Sequence, residues 1–119
     1  MEKVFETDSF VSNEAAWHQE LGFDEPYKVR VVIENLGSDP IYGFYLNDTD
    51  FQFMVDNGGV DDAILARIDK QLLCENHKGT VEVDVEFPAG KFYICLELDA
   101  ESDPNATRSE FKLTIYDNE

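Results

Sequence analysis

The stretch TVEVDVEFPAGKFYICLEL, residues 80–98, decides the fold. Apolar residues alternate with acidic residues up to Phe87, and a second alternation begins at Phe92. A period of two is typical of a β-strand that buries one face. The apolar residues of the two strands can face the same core only if an even number of residues connects the strands. We therefore predict a hairpin with the four-residue loop Pro88–Lys91. Its register sets Phe87 opposite Phe92.

The predicted hairpin carries an acidic outer face. Its register sets Glu82 opposite Glu97, and like charges so placed destabilise a sheet by about 0.2–1 kcal/mol per pair. Tyr93 adds an aromatic side chain of the kind enriched in binding hot spots. The face therefore predicts a protein-binding surface, and the alternative is an outer face that is acidic for solubility alone. The candidate partner-binding residues are Glu82, Asp84, Glu86, Tyr93 and Glu97.

Strand patterns continue on both sides of this stretch. YKVRVVIE (27–34) and FKLTIYD (111–117) alternate in the same way. IYGFYLND (41–48) and FQFMVDNGG (51–59) are short aromatic runs that end in turn residues, and we assign them as strands. These patterns predict a mainly β domain, an antiparallel β-sandwich of about six to seven strands.

Two segments have the pattern of helices. In DDAILARIDKQLLCE (61–75), Ile64, Ile68 and Leu72 recur every four residues behind an aspartate that can cap the helix. A strand is the alternative there, because short apolar runs fit both periods. SNEAAWHQELG (12–22) begins with a cap candidate and ends in glycine, which predicts a second short helix near the N-terminus.

Length and composition indicate one globular domain. A chain of 119 residues with 43% hydrophobic residues can bury a core without metals or disulfides. We expect residues 1–26 to pack on a sandwich formed by residues 27–117. Cys74 and Cys95 have no CxxC spacing and are expected to be reduced thiols.

The sequence shows neither a signal peptide nor a membrane span. The first residues lack an apolar region, and no stretch reaches the ~18 apolar residues of a span. We therefore expect a cytoplasmic location, or an extracellular one if the chain is a domain excised from a longer protein.

The charge of the chain is strongly negative. There are 26 acidic and 9 basic residues, which give a net charge of −17. Such a surface repels nucleic acid and anionic membranes, and it attracts basic proteins, polyamines and divalent cations. The alternative is that the acidity serves solubility or a high-salt environment.

The stretch DAESDPNATRSE (99–110) has acidic or amide side chains at the ligand positions of a twelve-residue calcium loop. Pro104 excludes an EF-hand, because its ring fixes φ near −65° where that loop requires a glycine with positive φ. An irregular calcium site formed by Asp99, Glu101 and Asp103 remains as one interpretation. The other is a solvated turn around Pro104.

Catalytic motifs are absent from the sequence. The two histidines, His18 and His77, lie in different segments, and neither has a nucleophile motif beside it. The sequence also lacks H-E-x-x-H spacing and a glycine-rich phosphate loop. We therefore predict that the protein is not an enzyme, and we interpret His77 as a solvated turn residue.

The order of strand motifs resembles a known family. VRVVIENLGSDPIYGFYL, GTVEVDVEFPAGKFYICLEL and EFKLTIYD, within residues 27–117, are similar to the bacterial pre-peptidase C-terminal-type β-sandwich modules. In those modules a strand with an N-x-G end precedes a P-A-G-x-Y-Y corner and a final Y-x-L-x-I strand. The resemblance implies a secreted appendage that binds proteins, polysaccharide or calcium.

The sequence thus predicts a non-enzymatic acidic binding protein that engages a basic protein partner through its acidic sheet face. The contexts that fit are an immunity or antitoxin-like protein, or a phage-type inhibitor that mimics nucleic acid charge. The alternative is an adhesive or carbohydrate-binding sandwich module, with or without bound calcium. No cofactor other than calcium is expected.

Overall fold

Eight β-strands and two helices make up the fold in a computed structural model, which describes all 119 residues. The strands are β1 Lys3–Ser12, β2 Trp17–Phe23, β3 Tyr27–Asn35, β4 Ile41–Asn47, β5 Leu72–His77, β6 Gly79–Phe87, β7 Gly90–Leu98 and β8 Arg108–Asp117. Between β4 and β5 lie the helices α1 Asp48–Asn57 and α2 Asp62–Lys70.

The strands form two antiparallel sheets that pack face to face. Sheet A has the order β1-β8-β3-β6, and sheet B has the order β2-β7-β4-β5. Alternate residues of each strand point into the space between the sheets, where they form one apolar core. Fully buried members of that core include Phe87 and Phe111 of sheet A and Ile94 and Leu96 of sheet B. The predicted antiparallel β-sandwich is confirmed.

Residues 80–98 form two strands as predicted, but the predicted hairpin is wrong. β6 pairs with β3 in sheet A, whereas β7 lies between β2 and β4 in sheet B. The chain crosses from one sheet to the other between Phe87 and Gly90. The alternation requires only that both strands face one core, and a crossover between sheets satisfies that condition as well as a hairpin does.

The crossover changes the neighbours of the acidic residues. Glu82 lies opposite Val32 of β3, and Glu97 lies opposite Tyr42 of β4, so the two carboxylates do not face each other. The rings of Phe87 and Phe92 still contact each other, across the core, with centroids 5.4 Å apart.

The helix predicted over residues 61–75 is confirmed for residues 62–70. Asp61 caps it, since its carboxylate accepts a hydrogen bond from the amide of Ile64 at 2.8 Å. The chain then leaves the helix at Gln71 and continues as strand β5, so the helix prediction is wrong for residues 72–75, and the alternative strand through Ile64 and Ile68 is wrong as well.

The run FQFMVDNGG, predicted as a strand, lies mostly in helix α1. Asn47 caps this helix, because its side-chain oxygen accepts a hydrogen bond from the amide of Asp50 at 2.8 Å. Gly58 ends it with a φ of 65°, in the left-handed region that glycine adopts without strain. These caps outweigh the strand preference of the aromatic residues.

The helix predicted near the N-terminus is wrong. Its residues belong to β2, an edge strand of sheet B that pairs with β7. Trp17, Leu21 and Phe23 are half-buried while His18 and Glu20 are exposed, which is the period of a strand. Pairing along a neighbouring strand therefore prevails over the local cap signal. Residues 1–26 contribute one edge strand to each sheet.

The two helices cover the outer face of sheet B and create a second apolar core. Seven buried side chains form it: Phe44, Leu46, Phe51, Ile64, Ile68, Tyr93 and Cys95. The carboxylate of Asp50 is buried and accepts two hydrogen bonds from the guanidinium of Arg67, at 2.7 and 2.8 Å, which joins α1 to α2. The molecule therefore has three layers, and no helix covers the outer face of sheet A.

Both cysteines are free and buried. Burial raises the pKa of the Cys74 thiol to about 12, and it raises the pKa of the Cys95 thiol to about 12. A thiol reacts as its thiolate, so both side chains are inert at neutral pH.

A buried amide ties the two sheets together at one end of the sandwich. The Asn35 side chain donates hydrogen bonds to the carbonyls of Asp39 and His77, at 2.8 and 2.9 Å. Its oxygen accepts hydrogen bonds from the hydroxyl of Ser109 and the amide of Gly37, at 2.6 and 2.9 Å. The side chain therefore uses its full hydrogen-bonding capacity.

We expect Asn35→Ala to lower the free energy of unfolding by about 3 kcal/mol, because it leaves buried polar groups of His77 and Ser109 without partners. Urea denaturation measures this change. Asn105→Ala is the control, because the exposed side chain of Asn105 makes no hydrogen bond, and it should cost less than about 0.5 kcal/mol. Equal losses in the two variants would contradict the role given to Asn35.

Candidate functional site

The structure separates the predicted partner-binding residues into two groups. Glu82, Asp84 and Glu86 lie on the open outer face of sheet A. Tyr93 and Glu97 lie on the outer face of sheet B, on the opposite side of the sandwich. The crossover after β6 is the cause, because it places β6 and β7 in different sheets. The single acidic face drawn from the sequence is therefore not assembled.

On sheet A the acidic side chains have basic neighbours. The Arg30 guanidinium donates to the carboxylate of Asp84 at 2.7 Å, and that hydrogen bond holds the pKa of Asp84 below its usual value. Lys28 lies opposite Glu86 in the strand register. Exposed ion pairs of this kind contribute little stability, but they cancel charge locally.

Tyr93 is buried, so the prediction of an exposed aromatic anchor is wrong. Helix α1 covers it, and its ring stacks on that of Phe51 with centroids 3.7 Å apart and planes within 8° of parallel. Its hydroxyl donates a hydrogen bond to the carboxylate of Glu20 at 3.1 Å. Burial raises the pKa of Tyr93, and the bond to Glu20 raises it further. The residue holds the helix layer on the sheet.

Two of the three predicted calcium residues, Asp99 and Asp103, accept hydrogen bonds from backbone amides. The buried Asp99 carboxylate accepts hydrogen bonds from the amides of Asn76 and Ser102, at 2.6 and 3.0 Å. Asp103 accepts one from the amide of Asn105 at 3.0 Å, as in the predicted turn. No group of three or more histidine, cysteine, aspartate or glutamate side chains is placed to hold a metal ion. Calcium binding stays a prediction from the sequence.

The histidines are placed differently from each other. His77 is buried, with Nε2 3.1 Å from the carbonyl oxygen of Ile33, so its interpretation as a solvated residue is wrong. His18 is exposed on β2, and its ring lies 4.9 Å from that of Phe51.

A cleft opens where the helices stop covering sheet B. It lies between β4, the two helices and the loop that follows β7, and its volume is about 580 Å³. Ligand sites in proteins typically have volumes of about 300–1,000 Å³. The apolar floor of the cleft consists of Tyr42, Phe44, Met54, Val60, Leu65 and Ile68.

Carboxylates from four parts of the chain surround this floor. Neither lysine nor arginine is among the lining residues, and none of the surrounding carboxylates takes part in an ion pair. We call these carboxylates the acidic rim, and they are Asp69 of α2, Glu75 of β5, Glu97 of β7, and Asp99 and Glu101 of the following loop. The cleft is thus apolar at its base and uniformly negative at its edge.

The negative charge and the partial burial of the cleft shift the pKa values of two side chains, Tyr42 and Glu97. Burial raises the pKa of the Tyr42 hydroxyl, and Asp69, Glu97, Glu75 and Glu101 each raise it further. Although Glu97 is exposed, the surrounding protein partly desolvates its carboxylate and raises its pKa, and Asp99 and Glu101 add to this. The carboxylates are therefore close enough to repel one another.

Sequence reasoning found part of this site and missed the rest. It singled out Glu97, Asp99 and Glu101, but it assigned them to two separate sites. It missed Tyr42, Asp69 and Glu75. A usable signal was present in β4, where aromatic residues occupy both faces of the strand, because such a strand is covered on both sides.

Comparisons with known proteins show the fold. No family model matches the chain, and no curated protein does. Among solved structures the chain is similar to the pre-peptidase C-terminal domain of collagenase from Bacillus anthracis, with a TM-score of 0.61 and 7% sequence identity over 93% of this chain and 87% of that one. The resemblance seen in the sequence is confirmed as a shared fold. Neither helix has the length and apolarity needed to cross a membrane.

We expect Glu97→Gln to raise the melting temperature by about 2 °C at neutral pH, after discounting for the exposure of the carboxylate. The pKa of Glu97 is higher in the folded protein than its ordinary value of 4.5, so ionisation opposes folding. The gain is therefore full above the raised pKa and disappears as the pH falls below about 4.5.

Thermal unfolding followed from acid to neutral pH measures this gain. Glu86→Gln, which removes one exposed carboxylate from sheet A, is the matched control and should gain less. An equal gain in both variants at every pH would mean that net charge, and not the cleft, determines the effect.

Proposed function

We propose that this protein is a non-enzymatic binding domain that engages a basic protein partner through the cleft on sheet B. One observation carries the proposal: five carboxylates and no cation line a cleft with an aromatic floor. A concave site with walls of low dielectric and one sign of charge concentrates its field, which speeds the encounter with a partner of opposite charge.

The cleft fits this role better than the outer face of sheet A does. On sheet A, Arg30 pairs with Asp84, Lys28 lies opposite Glu86, and a basic partner would have to compete with these cations. The acidic rim has no such competition. Of the residues first assigned to partner binding, the proposal keeps Glu97.

The partner in this proposal has a positively charged surface and a side chain that can enter the cleft. A toxin or a nucleic-acid-binding enzyme with a basic groove has that chemistry, so the immunity, antitoxin and phage-inhibitor contexts remain part of the proposal. In each of them the domain would act by occupying the groove.

A second candidate function is an adhesive or carbohydrate-binding module. The shared fold with a domain of a collagenase favours it, and aromatic rings beside carboxylates also suit sugar rings and their hydroxyl groups. Salt distinguishes the two functions, since only the attraction to a basic protein weakens steeply as ionic strength rises.

We expect the protein to bind basic proteins such as cytochrome c and protamine, with affinity that falls at least tenfold between about 50 and 500 mM salt. Asp69→Asn, Glu75→Gln and Glu97→Gln combined remove three charges from the cleft and should weaken binding at least about tenfold. Titration calorimetry measures both effects.

The control is a second triple variant that has the same net charge as the cleft variant. Glu34→Gln, Glu82→Gln and Glu86→Gln combined remove three exposed charges from the outer face of sheet A, and binding should change less than about threefold. Equal weakening by the two triple variants, or no binding at low salt, would contradict the proposal.

A further inference from the structure

We infer that the cleft receives an arginine side chain of its partner, with the guanidinium stacked on Tyr42 and its N–H groups directed at Glu97 and the neighbouring carboxylates. This inference rests on the proposed function, because it names the group that the basic partner inserts.

The floor of the cleft provides a surface on which a planar cation can stack. Tyr42 is half-buried and lies beside Phe44, with ring centroids 5.6 Å apart and planes inclined by 53°. Leu65 is 48% exposed and lines the same cleft, so it is available to contact the methylene groups of an incoming side chain. An aromatic face attracts a cation that is brought out of water.

The carboxylates that line the cleft with Tyr42 come from separate elements of the fold. Asp69, Glu75, Glu97 and Glu101 come from a helix, two strands and a loop, and each of them acts on the Tyr42 hydroxyl. A cation with many N–H donors can serve several of these carboxylates at once. A guanidinium has five such N–H donors, whereas an ammonium is a compact charge with three.

Desolvation also favours arginine over lysine. The surroundings of the cleft are apolar enough to raise the pKa of Glu97, so an entering cation loses part of its hydration. A guanidinium is more weakly hydrated than an ammonium and gives up less on entry. An opposite charge beside the carboxylate also favours its charged form, which desolvation in the cleft disfavours.

Other occupants fit less well. The rim does not gather three ligands into a group that could hold a metal ion. The protein's own Arg67 does not enter the cleft, because the buried carboxylate of Asp50 holds it by two hydrogen bonds. The volume of about 580 Å³ exceeds that of one metal ion and leaves room for a side chain and its flanking peptide.

Capped single amino acids test the inference without a protein partner. N-acetyl-arginine methylamide, its lysine counterpart and its neutral citrulline counterpart are titrated into the protein, and amide chemical shifts are followed by NMR. We expect saturable shifts at Tyr42 and Glu97 with arginine, at least about fivefold weaker binding with lysine, and none with citrulline.

Variants link the binding to the named residues. Tyr42→Leu and Glu97→Gln should each weaken arginine binding at least about tenfold, while Tyr42→Phe, which keeps the ring, should retain it. Glu86→Gln, on sheet A, is the matched control and should bind like the unmodified protein. Thermal melts show that each variant is folded.

The outcomes separate this inference from the proposed function. Equal binding of arginine and lysine, binding of citrulline, or no saturable shifts up to about 50 mM arginine would overturn the inference, even if basic proteins bind through the cleft. Saturable, Tyr42-dependent arginine binding supports it. If basic proteins fail to bind while arginine binds in this way, the proposed function alone is wrong.

Discussion

Sheet B has to be covered on both of its faces, and the rest of the structure depends on that requirement. Its strand β7 contributes five consecutive buried residues, Phe92 to Leu96, so apolar side chains point to both sides of the sheet. Those that point inward pack on sheet A. Those that point outward, among them Tyr93 and Cys95, need the helices above them. The Asp50–Arg67 pair then keeps the two helices together, and the cleft is the part of the outer face that they leave open.

The same requirement explains why basic residues neutralise acidic residues on sheet A and do not do so in the cleft on sheet B. Five of the nine basic residues lie in strands of sheet A, namely Lys3, Lys28, Arg30, Arg108 and Lys112. Because the outer face of sheet A is open to solvent, long basic side chains fit there beside acidic ones. All charged side chains that line the open part of sheet B are carboxylates, although the last turn of α2 also carries Arg67 and Lys70 outside that lining. A concave surface with only negative charges therefore lies beside an apolar floor.

The sequence was sufficient for five of the eight strands, β3, β4, β6, β7 and β8, and insufficient for their pairing. Alternation identified β3, β6, β7 and β8, because a half-buried strand leaves a period of two in the chain. It could not choose between a hairpin and a crossover after Phe87, since both turn the same residues inward. That choice separated Glu97 from Glu82, and with it the predicted acidic face. α1 was missed because its stabilising features are two caps, and its aromatic residues favour strands.

The order of the strands in the two sheets affects how the chain folds. No two strands are joined by a tight turn into a hairpin: of all neighbouring strands, only β4 and β5 are consecutive, and two helices separate them. Most strand pairs therefore join residues that are far apart in the sequence. Domains with such contacts typically fold in milliseconds to seconds. β8 lies between β1 and β3, so during synthesis sheet A stays open until Arg108–Asp117 has emerged from the ribosome. Until then β1 and β3 expose unpaired edges, and a nascent chain in that state needs protection from aggregation.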